Sequence, residues 1–244
     1  MGAVLFFLFA LVCEIIGTLG GFGSSVLFVP LANFFFAASL VLSLTSILHV
    51  FSNTAKLWLF RKTISKHLFL LYGIPSLLFT LLGAYLTKVY SFIYLEWALA
   101  IFLLLFSGLF LLFPKIHLKA NTSTALVSGS LAGFMAGFTG TGGAIRGMSL
   151  IAFNLEKNLF VGTSAAIDFG VDFSRMFIYY YNGFFEMEYV YYIPLLVIAS
   201  FLGSYMGKQL LNKISQEVFK KIVLCLILLI SISMLIKLSI ATQL

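Results

Sequence analysis

The chemistry of this sequence is concentrated in a few ionisable side chains that stand within otherwise apolar segments. Six of them are Glu14, Lys56, Arg146, Asp168, Asp172 and Arg175. A charged group inside a bilayer costs roughly 3 kcal/mol or more, so such groups usually face a cavity and mark the path of a substrate or a proton. They are therefore the first candidates for binding, coupling or gating.

Most of these groups belong to two stripes of residues at positions i, i+4 and i+7, a spacing that places them on one helix face. One stripe is His49, Asn53 and Lys56, and the other is Asp168, Asp172 and Arg175. A purely structural interpretation is open, because Asp172 and Arg175 are at the i, i+3 spacing of a helix ion pair. Yet one arginine cannot fully neutralise two carboxylates at low dielectric constant. We therefore expect a functional role for Asp168, which could take up a proton near neutral pH.

Two glycine-rich breaks offer a site for an anion. The first runs from Gly17 to Ser25 as GTLGGFGSS, and the second from Gly137 to Ala144 as GFTGTGGA. The amides at the start of a short helix, together with the guanidinium of Arg146, would bind an oxyanion. The candidate substrate-binding residues are Gly20, Gly21, Gly23, Ser24, Ser25, Gly140, Thr141, Gly142, Gly143 and Arg146. The alternative for the glycines is tight packing or a helix kink.

The remaining polar groups are assigned to coupling or gating. These candidates are Glu14, His49, Asn53, Lys56, Asp168, Asp172 and Arg175. Glu14 could bind a coupling proton or pair with Arg146 or Lys56, and the sequence does not choose between them. No histidine or cysteine cluster suits a metal and no nucleophile stands with a base, so we expect no metal, no cofactor and no enzymatic activity.

The composition is that of a membrane protein. Of 244 residues, 61% are hydrophobic and 9% are charged, against about 25% charged residues in soluble domains. The formal net charge of +7 is better explained by loop lysines that orient membrane helices than by a nucleic-acid partner. The first apolar stretch follows no basic residue and is interpreted as a membrane segment rather than a signal peptide.

The hydropathy pattern predicts an all-α polytopic protein built from two five-segment repeats, 1–119 and 120–244. The predicted segments are 3–16, 24–37, 41–60, 67–87, 93–113, 124–139, 143–155, 159–182, 189–207 and 218–240. Fourteen helical residues rise about 21 Å, less than the roughly 30 Å hydrocarbon core. Each repeat is therefore expected to open with a short-helix hairpin that is broken by glycines and meets its counterpart near mid-membrane.

An odd number of crossings in the first half would invert the second half, and the charges agree with that topology. With both termini outside the cell membrane, one basic set faces the cytoplasm, as the positive-inside rule requires. That set is Arg61, Lys62, Lys66, Lys115, Lys119, Lys157, Lys208, Lys213, Lys220 and Lys221. Lys88 and Lys237, with Glu186 and Glu188, would then lie outside.

The glycine motifs resemble those of the sulfite exporter TauE/SafE family. The first half carries Ser24, Ser25 and Pro30 after its glycines, and the second carries Gly162-Thr-Ser164 beyond its own. The resemblance covers essentially the whole chain and implies transport of a sulfur-containing anion across the cell membrane. Leu150 stands where the second motif of the family usually has a proline, and this departure leaves the substrate open.

The leading hypothesis is a secondary transporter that exports a small sulfur-containing anion by alternating access. One alternative is a proton- or metal-cation carrier with Glu14, Asp168 and Asp172 as ligands, and another is a non-transporting membrane assembly protein. The expected partners are a small anionic substrate and the lipid bilayer, with no nucleic acid. The sequence leaves a homodimer open.

Overall fold

The computed structural model describes residues 2–21, 23–87, 93–113, 121–140 and 142–241. Within them the chain is helical and has no strand, which confirms the all-α prediction. The helices are α1 (Ala3–Gly20), α2 (Ser25–Ala32), α3 (Ala38–Leu59), α4 (Lys66–Leu86), α5 (Ile93–Leu112), α6 (Thr122–Thr139), α7 (Gly143–Ala152), α8 (Lys157–Tyr181), α9 (Tyr192–Lys213) and α10 (Gln216–Ala241). Five of the described helices, α1, α3, α4, α9 and α10, are long and apolar enough to cross a membrane. The chain is a multi-pass membrane protein.

The glycine breaks fall at equivalent places in the two halves. Helix α1 ends at Gly21, with φ +73°, and α6 ends at Gly140, with φ +76°. Glycine adopts this left-handed conformation without steric cost and commonly ends helices there. Helix α1 has 18 residues and is longer than predicted, because it continues through Gly17 to this cap. The helices that follow the breaks, α2 and α7, rise only about 12 Å and 15 Å.

The helices pack in pairs, and each main pair joins one helix of the first half to one helix of the second. Helix α1 packs on α9 and α6 packs on α4, while α3 packs on α8 and α5 packs on α10. Helix α3 also contacts α9, just as α8 contacts α4. Numbering each half from one to five, the first helix of either half packs on the fourth of the other. The third helices pack together, and so do the fifth.

Small residues let two of these helix pairs pack closely. A Cβ at Gly133 or Gly137 of α6 would collide with the backbone of α4 at Ser76 or Thr80. In the equivalent pair, a Cβ at Gly203 of α9 would meet the side chain of Glu14 on α1. Lipid tails give helices no hydrophobic reason to associate, so close packing of this kind supplies much of the attraction. It also places Glu14 deep between helices.

One end of the bundle collects the basic residues of both halves. There Lys208 Nζ donates to the Leu59 carbonyl at 2.7 Å, and the Ser65 amide donates to Thr163 Oγ1 at 2.9 Å. Lys157 Nζ donates to carbonyls at the end of α9. The described basic residues at this end are Arg61, Lys62, Lys66, Lys157, Lys208, Lys213, Lys220 and Lys221. Lys88, Lys115 and Lys119 lie outside the described residues.

The opposite end is aromatic and acidic. Phe36, after α2, packs edge-on against Tyr189 at 5.8 Å between ring centroids, and against Tyr192 at the start of α9. Glu186 and Glu188 are exposed in the same loop. The bundle therefore has a strong charge asymmetry along its axis, of the kind that orients membrane proteins.

Candidate functional site

The two stripes predicted from sequence meet where α3 crosses α8. Asn53 Nδ2 donates to Asp172 Oδ2 at 2.7 Å, and His49 Nδ1 lies 3.2 Å from the same oxygen. All three side chains are buried. These contacts join the two halves directly in the interior of the bundle.

The hydrogen bonds of His49 define its tautomer. The backbone amide of Ser25, at the start of α2, donates to His49 Nε2 at 2.9 Å. A ring nitrogen that accepts a hydrogen bond carries no proton, so the proton is assigned to Nδ1, which donates to Asp172. Ser24 Oγ lies 3.1 Å from the same Nε2. His49 thus connects the first glycine break to the carboxylate of the other half.

Glu14 is the centre of a second polar cluster, and it is fully buried. Its Oε1 lies 2.8 Å from Lys56 Nζ, so the structure chooses Lys56 over Arg146 as its partner. Its carboxylate also accepts hydrogen bonds, at 2.5 to 3.1 Å, from four hydroxyls. They belong to Thr18, Ser24, Ser52 and Ser204.

Sequence reasoning missed three of these hydroxyl residues, Thr18, Ser52 and Ser204. Serine and threonine in apolar helices often bond only to their own backbone, so their presence alone predicts nothing. A local signal did exist for two of them. Thr18 follows Glu14 by four residues and Ser52 precedes Lys56 by four, which are neighbouring positions on a helix.

Arg146 is bound by the protein itself. Its two terminal nitrogens pair with both oxygens of Asp168, and its Nε donates to Ser164 Oγ at 2.8 Å. Arg146 is 2% exposed and Asp168 is 5% exposed. The guanidinium predicted to hold an anion therefore already holds a carboxylate in a bidentate arrangement, the strongest geometry for such a pair.

Arg175 ties α8 to the end of α6. Its Nε and NH2 lie 2.8 and 2.7 Å from Asp172 Oδ1, and its NH1 donates to the Ala136 carbonyl at 3.1 Å. Tyr179 Oη donates to the Gly137 carbonyl at 2.5 Å. The last carbonyls of a helix have no acceptor role within the helix itself, and the helix dipole favours positive charge there. The Arg175 and Tyr179 donors pair two such carbonyls at the end of α6. They hold the helix end in front of the second glycine break.

Each of the three acids that the structure describes as buried thus has its own base. Arg146 forms an ion pair with Asp168, Arg175 with Asp172, and Lys56 with Glu14. Breaking a buried pair leaves an uncompensated charge, which is far more costly than losing an exposed pair. The network is therefore charge-balanced as it stands.

The predicted glycines lie around this network in different ways. Gly23, with φ +96°, packs against the His49 ring, and a Cβ there would stand 2.9 Å from Cε1. A Cβ at Gly140 would be 3.5 Å from Arg175 NH1, whereas one at Gly142 would meet α6 at Ala132 and Ala136. Thr141 lies outside the described residues. Among the described residues no group of three or more His, Cys, Asp or Glu is placed to hold a metal ion.

Comparison with known families gives one result that covers nearly the whole chain. Residues 5–234 match the model of the family described as Sulfite exporter TauE/SafE. No curated protein and no solved structure gives a significant match. The resemblance inferred from the glycine motifs is confirmed, and it agrees with an all-helical structure that has several candidate membrane spans. The chain belongs to the sulfite exporter TauE/SafE family of membrane transporters.

Proposed function

We propose that this protein is a secondary transporter that exports a small sulfur-containing oxyanion, organic or inorganic, across the cell membrane. The observation that carries the proposal is the buried guanidinium of Arg146, which lies one turn after a glycine break and is already bidentate to a carboxylate. A guanidinium that fits two carboxylate oxygens also fits two oxygens of a sulfite or sulfonate group. Membership in a family of sulfite exporters supports this substrate class.

Transport is proposed to proceed by alternating access between two inverted halves, 1–119 and 120–244. The exchange of helix partners between halves supports this arrangement, because every major helix pair maps onto another pair, or onto itself, when the halves are exchanged. The contacts of His49 and Asn53 with Asp172 cross the boundary between the halves. In this proposal they are the gate that must open when the halves rock. Glu14 and Lys56 hold α1 against α3 during that motion.

Reconstituted protein is expected to move sulfur oxyanions. Proteoliposomes preloaded with labelled sulfite, thiosulfate, sulfoacetate, sulfate or phosphate should release at least one sulfur anion faster than protein-free liposomes. Phosphate serves as the control for oxyanions in general. If none of the sulfur anions moves and none raises the unfolding temperature of the purified protein, the proposal fails. A stable co-purifying partner in that case would favour an assembly protein.

Equivalent loops of the two halves are expected on opposite sides of the membrane. In a background with Cys13 and Cys225 replaced by alanine, a cysteine at exposed Lys62 should react with an impermeant maleimide only after the cells are opened. A cysteine at exposed Glu186, in the equivalent loop of the second half, should react in intact cells. Lys213→Cys is the control for the basic end and should behave as Lys62→Cys does. Reaction of the first two positions from the same side would contradict the inverted repeat and the placement of both termini outside.

A further inference from the structure

Glu14, Asp168 and Asp172, the three carboxylates buried within the described part of the chain, differ in how well the protein supports their negative charge. Glu14 receives donors from five side chains and Asp172 from three. Among the described residues, Asp168 is held by Arg146 alone. A carboxylate is kept ionised by the hydrogen bonds and charges it receives. Asp168 therefore depends on a single partner for its ionised form.

The electrostatic surroundings of Asp168 come from four helices. The ionisable groups that act on it are Arg146 of α7, His49 and Lys56 of α3, Tyr72 of α4, and Asp172 and Arg175 of its own helix. Helix α6, which also contacts α8, has no ionisable residue. Asp172 is a like charge one turn away and opposes ionisation of Asp168. The surroundings of the two aspartates therefore differ. They favour an Asp172 that stays ionised and an Asp168 that can accept a proton.

Tyr72 supplies a second, independent sign of a ligand at this place. Its side chain is fully buried, and its hydroxyl has no hydrogen-bond partner within the described part of the chain. It interacts electrostatically with both Arg146 and Asp168. The hydroxyls of Ser128 and Ser149 lie close enough to act on it, but each donates its proton to a carbonyl of its own helix, so neither donates to Tyr72. Buried hydroxyls are nearly always hydrogen-bonded, so a hydroxyl that no described residue pairs, within electrostatic reach of an ion pair, points to a group that binds there.

We propose that Asp168 is a tethered competitor of the transported anion at Arg146, and that each anion binds together with one proton taken up by Asp168. The inference rests on the proposed function. The proton adds to one carboxylate oxygen of Asp168, and Arg146 keeps its charge. Two oxygens of the anion then accept hydrogen bonds from the Arg146 N–H groups that Asp168 has released. The Tyr72 hydroxyl donates a further hydrogen bond to the anion. For a monoanion, the net charge of the site is the same before and after binding.

The proton is required because of the low dielectric constant of the site. An anion placed beside an ionised Asp168 would put two negative charges against one guanidinium, and their mutual repulsion is weakly screened there. Protonation removes the competing charge and releases both terminal nitrogens of Arg146 from Asp168 at once. Anion affinity should therefore fall about tenfold for each unit of pH rise while Asp168 is ionised in the free protein.

Calorimetric titration of the purified protein with thiosulfate, sulfite and methanesulfonate tests this coupling, and the proton count is taken from thiosulfate and methanesulfonate, because sulfite itself takes up a proton near neutral pH. Titrations in buffers of different ionisation enthalpy give the number of protons taken up for each anion bound. We expect one for the wild type and none for Asp168→Asn, which should also bind with an affinity independent of pH. Anion binding to the wild type without proton uptake overturns the inference and leaves the proposed function intact. Proton uptake on anion binding to Asp168→Asn also overturns the inference and leaves the proposed function intact. If the wild type binds none of the three anions, the proposed function itself fails.

Tyr72→Phe gives a second test that does not disturb the ion pair. The variant should fold as well as the wild type, because none of the described residues makes a hydrogen bond with the hydroxyl that it loses. Loss of a donor to a charged ligand should weaken anion binding by about 10- to 100-fold, while proton uptake stays at one. The matched control is Tyr85→Phe, an exposed position on the same helix, which should change neither. Wild-type affinity in Tyr72→Phe would overturn the role of this hydroxyl at the site.

Discussion

Replacing Arg146 with alanine is expected to reduce anion transport in proteoliposomes to the level of protein-free vesicles. Its buried guanidinium belongs to the first turn of α7, directly after the second glycine break, and it is the group in the proposed site that can bind two anion oxygens at once. Arg146→Lys should retain the ion pair with Asp168 and yet transport at least about tenfold more slowly, because an ammonium lacks the planar fork. Arg61→Lys, an exposed loop position, is the control and should transport normally.

The alanine variant also loses stability, and this must be separated from the loss of binding. An unpaired buried Asp168 is expected to cost about 3–5 kcal/mol. The double variant Arg146→Met, Asp168→Leu replaces the pair with apolar side chains of similar volume, so it should unfold near the wild-type temperature. It should still fail to transport. A folded double variant with wild-type flux would remove Arg146 from the substrate site.

Lys56→Met is expected to be among the most destabilising single substitutions in the chain. It leaves the carboxylate of Glu14, which is fully buried, without its cation. The four hydroxyls around Glu14 remain, but they supply no charge. The expected loss is about 3–5 kcal/mol of unfolding free energy.

A double-mutant cycle on Glu14 and Lys56 checks this result. Glu14→Gln combined with Lys56→Met removes both charges and should recover most of the stability, which a single deletion cannot do. Lys62→Met, exposed in the loop after α3, is the matched control and should unfold as the wild type does. The midpoint of thermal unfolding in detergent orders the four proteins of the cycle (wild type, Glu14→Gln, Lys56→Met and the double variant) and the control. If Lys56→Met unfolds with the control, the ion pair contributes little.

Much of the helical structure could be predicted from the sequence because it depends on local patterns. Apolar runs predicted α3, α4 and α5 to within a few residues, and the second glycine break predicted where α6 ends. The extent of α1 was underestimated, since Gly17 looked like a helix breaker. In the structure Gly17 is an interior position where the backbone of Ser24 approaches closely. Sequence shows that a glycine is present but not whether it serves conformation or packing.

The sequence by itself determined which charges lie in the membrane region and which of them share a helix face. That information is local, because a spacing of i, i+4 and i+7 fixes direction around one helix axis. Only the tertiary structure decided the partners: Glu14 with Lys56, Arg146 with Asp168, and His49 with Asp172. Partners depend on how far each helix is rotated and shifted against its neighbour, and that depends on close packing at residues such as Gly133 and Gly203. The sequence predicted Arg146 as an anion-binding residue. In the fold, its guanidinium already pairs with the carboxylate of Asp168.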